Sequence, residues 1–141
     1  MLLAGYIEGK NDYHSFDVQV ETPAEARAAV QRYKDAGYEQ IKIRDHVKLE
    51  TLKVICDEAH RLGMTVTGHV PKGFNVLQAV EAGMDQINHV NFVETGIFPK
   101  RDRDSPATTI NLNALNVTNT LKFFKEHGTV IDPTDAVLEL M

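Results

Sequence analysis

Lys42, His69 and His89 each stand five or six positions after a glycine that closes a helical stretch, at the end of a short β-branched run. The segments are Gly37-Tyr-Glu-Gln-Ile-Lys42, Gly63-Met-Thr-Val-Thr-Gly-His69 and Gly83-Met-Asp-Gln-Ile-Asn-His89, and Gly128-Thr-Val-Ile-Asp132 repeats the pattern with a carboxylate. Neutral imidazoles are ligands for zinc, and two of them at the same point of consecutive units can share one ion, while a histidine hydrogen-bonded at the rim of a core is the plainer alternative for each. Lys42 lies between Ile41 and Ile43. Strand alternation sends both isoleucines to one side and the lysine to the other, away from the covering helices. An ammonium buried there must be paired, give up its proton or be chemically modified. A neutral amine forms a Schiff base with a carbonyl, or takes up carbon dioxide and becomes a carbamate, an anionic oxygen ligand for metals. Pairing with Asp45 or Asp132 is the plainer alternative.

The other candidates carry weaker signals. His46, beside Asp45 after the lysine strand, and Asp132, before Pro133, are placed to touch a substrate, although a solvated loop histidine and an ordinary Asp-Pro turn explain them equally. His60 and His127 fall near helix C-termini, where a cation is favoured, and read as surface residues. His14, in Asp-Tyr-His-Ser, has no spacing that assigns a role.

The elements that must position these residues alternate. Thr22-Pro23-Ala24-Glu25 is a helix start with an N-cap threonine, proline at the first helical position and the glutamate of a capping box. Ala26, Ala29, Val30 and Tyr33 share one face of that helix. The next, about Lys48 to Leu62, sets Leu52, Ile55, Cys56, Ala59 and Leu62 against Glu50, Lys53, Asp57 and Arg61. Two more are expected at about Asn75 to Ala82, burying Val76, Leu77 and Val80, and Leu115 to Glu126, burying Val117, Leu121 and Phe124. Strands are expected at Gln40–Arg44, Thr65–His69, Gln86–Val90 and Thr129–Asp132, with ambiguous extended pieces at Leu2–Ile7 and Phe16–Val20. Alternating helix and strand with short connections demands a parallel sheet with right-handed crossovers. Titratable residues at successive strand ends, without a glycine-rich phosphate loop, favour an arc of a barrel over a dinucleotide-binding sheet. Pro99 to Asn113 is polar and aperiodic and reads as a mobile loop on the ligand side.

At 141 residues the chain is long enough for one domain with a core and too short for a complete eight-unit barrel. A net charge of -5 with scattered basic residues argues against nucleic acid as a partner. A lone cysteine allows no internal disulfide, and the short apolar start fits neither a signal peptide nor a membrane span, so the reading is a cytoplasmic protein without membrane contact.

Taken in order, Ile-Lys-Ile, Ala-His-Arg-Leu-Gly-Met-Thr-Val-Thr-Gly-His-Val and Ala-Gly-Met-Asp-Gln-Ile-Asn-His-Val resemble the metal-dependent amidohydrolase superfamily, in its imidazolonepropionase-like and prolidase-like branch. Pro-Ala-Glu-Ala-Arg-Ala-Ala-Val and Glu-His-Gly-Thr-Val-Ile-Asp-Pro-Thr fit the same order, so the likeness runs from about Thr22 to Thr134. The resemblance implies an α/β fold, a partial (β/α)8 TIM-type barrel with about four to five parallel strands and outer helices. It implies one or two divalent ions, commonly zinc, with Lys42 as a carbamylated bridging ligand on the fourth strand. His69 and His89, on the fifth and sixth, would hold the second metal, and Asp132 would end the seventh. The implied reaction is attack of a metal-bound hydroxide on a carbonyl, breaking an amide or related C–N bond in a small or dipeptide-like substrate. The family's first-strand His-x-His pair does not occur, and no eighth strand supplies its aspartate. Asn88 and Arg44 stand where the family often has glutamate and an aromatic residue. The chain therefore reads as an internal segment whose open barrel edges are covered by a second copy in a homo-oligomer. Two other readings stand beside the hydrolase: a lyase using Lys42 as a Schiff-base nucleophile, and a non-catalytic structural or oligomerising module.

Overall fold

A computed structural model describes residues 3–12, 18–97 and 114–134. The expected loop at Pro99 to Asn113, His14 and the start of the Phe16–Val20 piece lie outside the described residues. The chain builds β1 (Ala4–Gly9), β2 (Val18–Val20), α1 (Pro23–Asp35), β3 (Gln40–Ile43), α2 (Leu49–Arg61), β4 (Thr65–Gly68), α3 (Val76–Glu81), β5 (Gln86–Asn88), α4 (Val90–Ile97), α5 (Leu115–His127) and β6 (Val130–Asp132). All strand pairs are parallel, in the order β2-β1-β3-β4-β5-β6. This is an arc of a (β/α)8 TIM-type barrel, with six strands where four to five were expected. The difference lies in the two extended pieces that the sequence leaves ambiguous, Leu2–Ile7 and Phe16–Val20, whose described residues include the strands β1 and β2.

One sheet face carries the core. Ile7, Ile41, Ile43, Val66 and Ile87 occupy alternate strand positions and are wholly buried, packed with Leu52, Ile55, Cys56 and Ala59 of α2. The capping box read at Thr22 is formed, with Glu25 N–H donating to Thr22 Oγ1 and the Glu25 carboxylate accepting from the Thr22 N–H. The glycines placed after helices in the sequence, Gly37, Gly63, Gly83 and Gly128, all have positive φ. Gly68 is constrained twice over: its φ is +133°, and an added Cβ would sit 2.3 Å from the Ile43 carbonyl oxygen, so only glycine lets β4 run this close to β3.

Two expectations are corrected. The strand expected to reach Val90 ends at Asn88, and Val90 opens α4, because His89 has φ +71° and breaks the extended chain. On α5, Val117, Thr120 and Phe124 are buried while Leu121 is 54% exposed. The small Thr120 joins the buried stripe and rotates it away from Leu121.

The opposite sheet face carries Tyr6, Glu8, Lys42, Thr67 and Asn88, with Tyr6 aligned to Lys42 and Lys42 to Thr67 across β1, β3 and β4. Val130 on this face is 55% exposed. The two faces should respond differently to truncation. Ile41→Ala is expected to cost about 2–5 kcal/mol in urea unfolding, and Val130→Ala to stay within about 0.5 kcal/mol.

Candidate metal centre

The strands deliver their last residues to one end of the sheet, and His69 and His89 meet there. Their Nε2 atoms are 3.1 Å apart and their rings stand edge to face with centroids 4.9 Å apart. His69 follows Gly68 directly, and its backbone N–H donates to the Ile43 carbonyl, which continues the β3–β4 ladder by one step. His89 arrives by another route. Strand alternation would send it to the helix side with Ile87, but its left-handed backbone turns the ring back toward His69. For a non-glycine residue this conformation costs on the order of 1–3 kcal/mol, held here by the His89 N–H on the Asp132 carbonyl and the Val90 N–H on the Pro133 carbonyl. Phe92, in the first turn of α4, stands against both rings at centroid distances of 5.5 and 6.2 Å.

Each imidazole is fixed through its other nitrogen. His69 Nδ1 lies 2.7 Å from Asp45 Oδ1, and His89 Nδ1 pairs with the Thr134 hydroxyl. A carboxylate on His69 Nδ1 places the proton there and leaves Nε2 with a free lone pair, the orientation a metal-binding histidine takes. Burial, the facing His69 and the Lys42 charge hold the His89 pKa below its usual 6.5. Asp45 feels burial pushing its carboxyl up, but the His69 hydrogen bond and the charges of His69, Arg44 and Lys72 together outweigh it and hold it low.

Lys42 is half-buried on the open face, its Nζ 6.0 Å from the centre of the Tyr6 ring. Burial pulls its pKa down, the Asp132 charge pulls it up, and Arg44 pulls it down again, leaving it below the usual lysine value. Of the two acids considered as its partner, Asp45 is engaged with His69, while Asp132 is the one whose charge reaches the lysine. Asp132 is itself held in place. Its Oδ2 accepts from Asn88 Nδ2 at 2.9 Å, its Oδ1 from the Thr134 N–H at 3.1 Å, and Asn88 Oδ1 accepts from the Thr67 hydroxyl at 3.0 Å. His46 faces Lys72 Nζ at 3.2 Å and the Glu8 carboxylate at 3.4 Å, tying two loops together. His60 lies at the other end of the sheet, bonded to Asp85, and His127 bonds the Phe123 carbonyl; both stay apart from the centre.

Two imidazole nitrogens about 2.0–2.1 Å from a tetrahedral zinc lie about 3.3 Å apart. The observed 3.1 Å is close to that spacing, so the pair fits one edge of a metal's coordination shell. Among the described residues no group of three or more His, Cys, Asp and Glu side chains could hold an ion.

The arc of parallel strands with its strand-end site places the molecule in the class of (β/α)8-type barrels. No family model matches the chain, and no curated protein does. Among solved structures it is similar to bottromycin amidohydrolase, at 17% identity and TM-score 0.60 over 92% of this chain and 28% of that one. It is similar to A. niger ochratoxinase, at 21% identity and TM-score 0.61 over 94% of this chain and 30% of that one. A Xaa-Pro dipeptidase with methionine bound in its active site matches at 22% identity and TM-score 0.59, over 90% of this chain and 30% of that one. These structural neighbours are amidohydrolase-family proteins, as the sequence resemblance implied, and the likeness establishes a shared fold. The chain spans 28–30% of the length of these three. No helix among the described residues is long and apolar enough to cross a membrane.

The lowered His89 pKa has a signed consequence. Between the folded value and the ordinary 6.5 the unfolded chain holds more protons than the folded one. Stability therefore rises with pH through that window and is lost on acidification. The urea midpoint is expected to fall as pH drops below 6.5, and to fall less in His89→Asn, since asparagine tolerates the left-handed backbone.

Proposed function

We propose that the chain carries the central part of the catalytic centre of a metal-dependent hydrolase acting on amide or related C–N bonds. The single observation that supports it most is the His69–His89 pair, with both Nε2 atoms together and both Nδ1 atoms engaged elsewhere. In this reading His69 and His89 each direct an Nε2 lone pair at a divalent ion, zinc by the donor type. Asp45 and Thr134 hold the two rings in that orientation. Lys42 supplies the third donor as a carbamate: its neutral amine adds to carbon dioxide, an N–C bond forms and one amine proton leaves to solvent. Burial favours the neutral amine that this addition needs. The chemistry a bound divalent ion supplies is Lewis acidity toward a carbonyl oxygen and toward water. Asp132, held by Asn88 and Thr134 on the same rim, and His46 on the loop after β3 would contact a small or dipeptide-like substrate.

Metal content decides this. After incubation with zinc and bicarbonate, the dialysed chain is expected to retain zinc by elemental analysis. His69→Ala and His89→Ala should each lower the retained zinc at least tenfold, a loss in the range known for metal-site substitutions. A parent chain that keeps only traces would end the proposal.

The lowered lysine pKa also favours a second reading, in which Lys42 is the Schiff-base nucleophile of a lyase. Borohydride trapping with a small aldehyde separates the two. Under the hydrolase reading, bicarbonate and zinc protect Lys42 and no adduct is found there; a stable adduct on Lys42 that zinc does not suppress would favour the lyase.

A further inference from the structure

We infer that Glu8 and Gly9, at the end of β1, are positioning residues for His69, acting through the Asp45–Val47 loop. The inference rests on the His69–His89 reading and names what holds that site in register. Glu8 is completely buried. Its Oε1 accepts from the Gly9 N–H at 2.8 Å and from the His46 N–H at 2.7 Å, while Oε2 faces the Asp45 N–H at 3.4 Å and the His46 ring at 3.4 Å. A buried carboxylate is tolerable only where donors surround it, and here two of the backbone donors belong to a loop 37 and 38 residues away in sequence. Gly9 is the second, independent contact of the same loop. A Cβ there would lie 1.9 Å from the His46 carbonyl oxygen and 2.7 Å from the Val47 nitrogen, so the loop rests directly on the β1 backbone. The Lys72 N–H on the Asp45 carbonyl, at 2.8 Å, fixes the loop from the other side.

This loop carries the carboxylate that, among the described residues, pairs with His69. Glu8 touches neither His69 nor His89, but it sets the height of the Asp45 backbone, and Asp45 Oδ1 in turn accepts a hydrogen bond from the His69 Nδ1–H. A glutamate is required by the donor pattern. The amide of a glutamine at this place would turn an N–H toward the loop N–H groups, and one of the buried bonds would become a repulsion.

The test is the tautomer of His69, read by long-range 1H–15N NMR on the full chain at a pH above the imidazole range, with zinc affinity measured separately by chelator competition. Glu8→Gln and Gly9→Ala are each expected to move His69 from a single Nδ1-protonated form to a mixture, and to weaken zinc binding about 10- to 100-fold. Glu8→Gln combined with Asp45→Asn should do no more than Asp45→Asn alone, because both act on one contact. An unchanged His69 tautomer in a folded Glu8→Gln chain, or additive effects in the double variant, would overturn the inference. Should Glu8→Gln not fold, Gly9→Ala carries the same two outcomes. A tautomer response to either substitution, where the parent chain binds no zinc, would remove the hydrolase reading and leave the positioning role standing.

Discussion

The structure depends on an alternation with two unequal faces. Ile41, Ile43, Val66 and Ile87 go to the helix side and are wholly buried, which leaves Lys42, Thr67 and Asn88 no choice but the other side. A one-residue slip of β3 would bury the lysine among aliphatic side chains and expose two isoleucines, so register here is strongly specified. Parallel pairing then brings every strand end to the same rim. The polar residues of that rim gather there because the packing of the other face leaves them nowhere else to go.

His89 is the exception to alternation, and the centre turns on it. The residue spends backbone strain to bring its ring out of phase with Ile87 and onto His69. Such strain persists only where neighbouring contacts over-determine it. Here they do, through the two backbone bonds to Asp132 and Pro133, the Thr134 hydroxyl on Nδ1 and the Phe92 ring. The same turn ends β5 and starts α4, so the site and the local fold share one cause.

Much of this was legible in the sequence. The Thr22 capping box, the one-sided α2 and the glycines before the strands rest on local rules that do not depend on distant contacts, and they placed Lys42, His69 and His89 on the same rim. The orienting groups were not legible. Glu8 reads as an ordinary charge near the start of the chain, and its burial depends on a loop far along the sequence. Asp45 reads in sequence as a partner for Lys42 and instead engages His69, since the direction of a loop carboxylate follows from how its loop is seated. Helix α4 has no clear sequence signal because Val90-Asn-Phe-Val carries strand-forming residues, and only the left-handed His89 decides otherwise. Thr134 and Phe92 give no spacing signal, since each reaches the imidazoles by tertiary contact alone.

X-ray absorption at the zinc edge addresses the central claim most directly, because it reads which atoms surround the ion. The chain loaded with zinc and bicarbonate should show imidazole scattering from two nitrogens at about 2.0–2.1 Å, together with a lighter oxygen shell, and the imidazole signal should vanish when His69 and His89 are both replaced. A shell of oxygen alone, or an imidazole signal that survives the double replacement, would contradict the account.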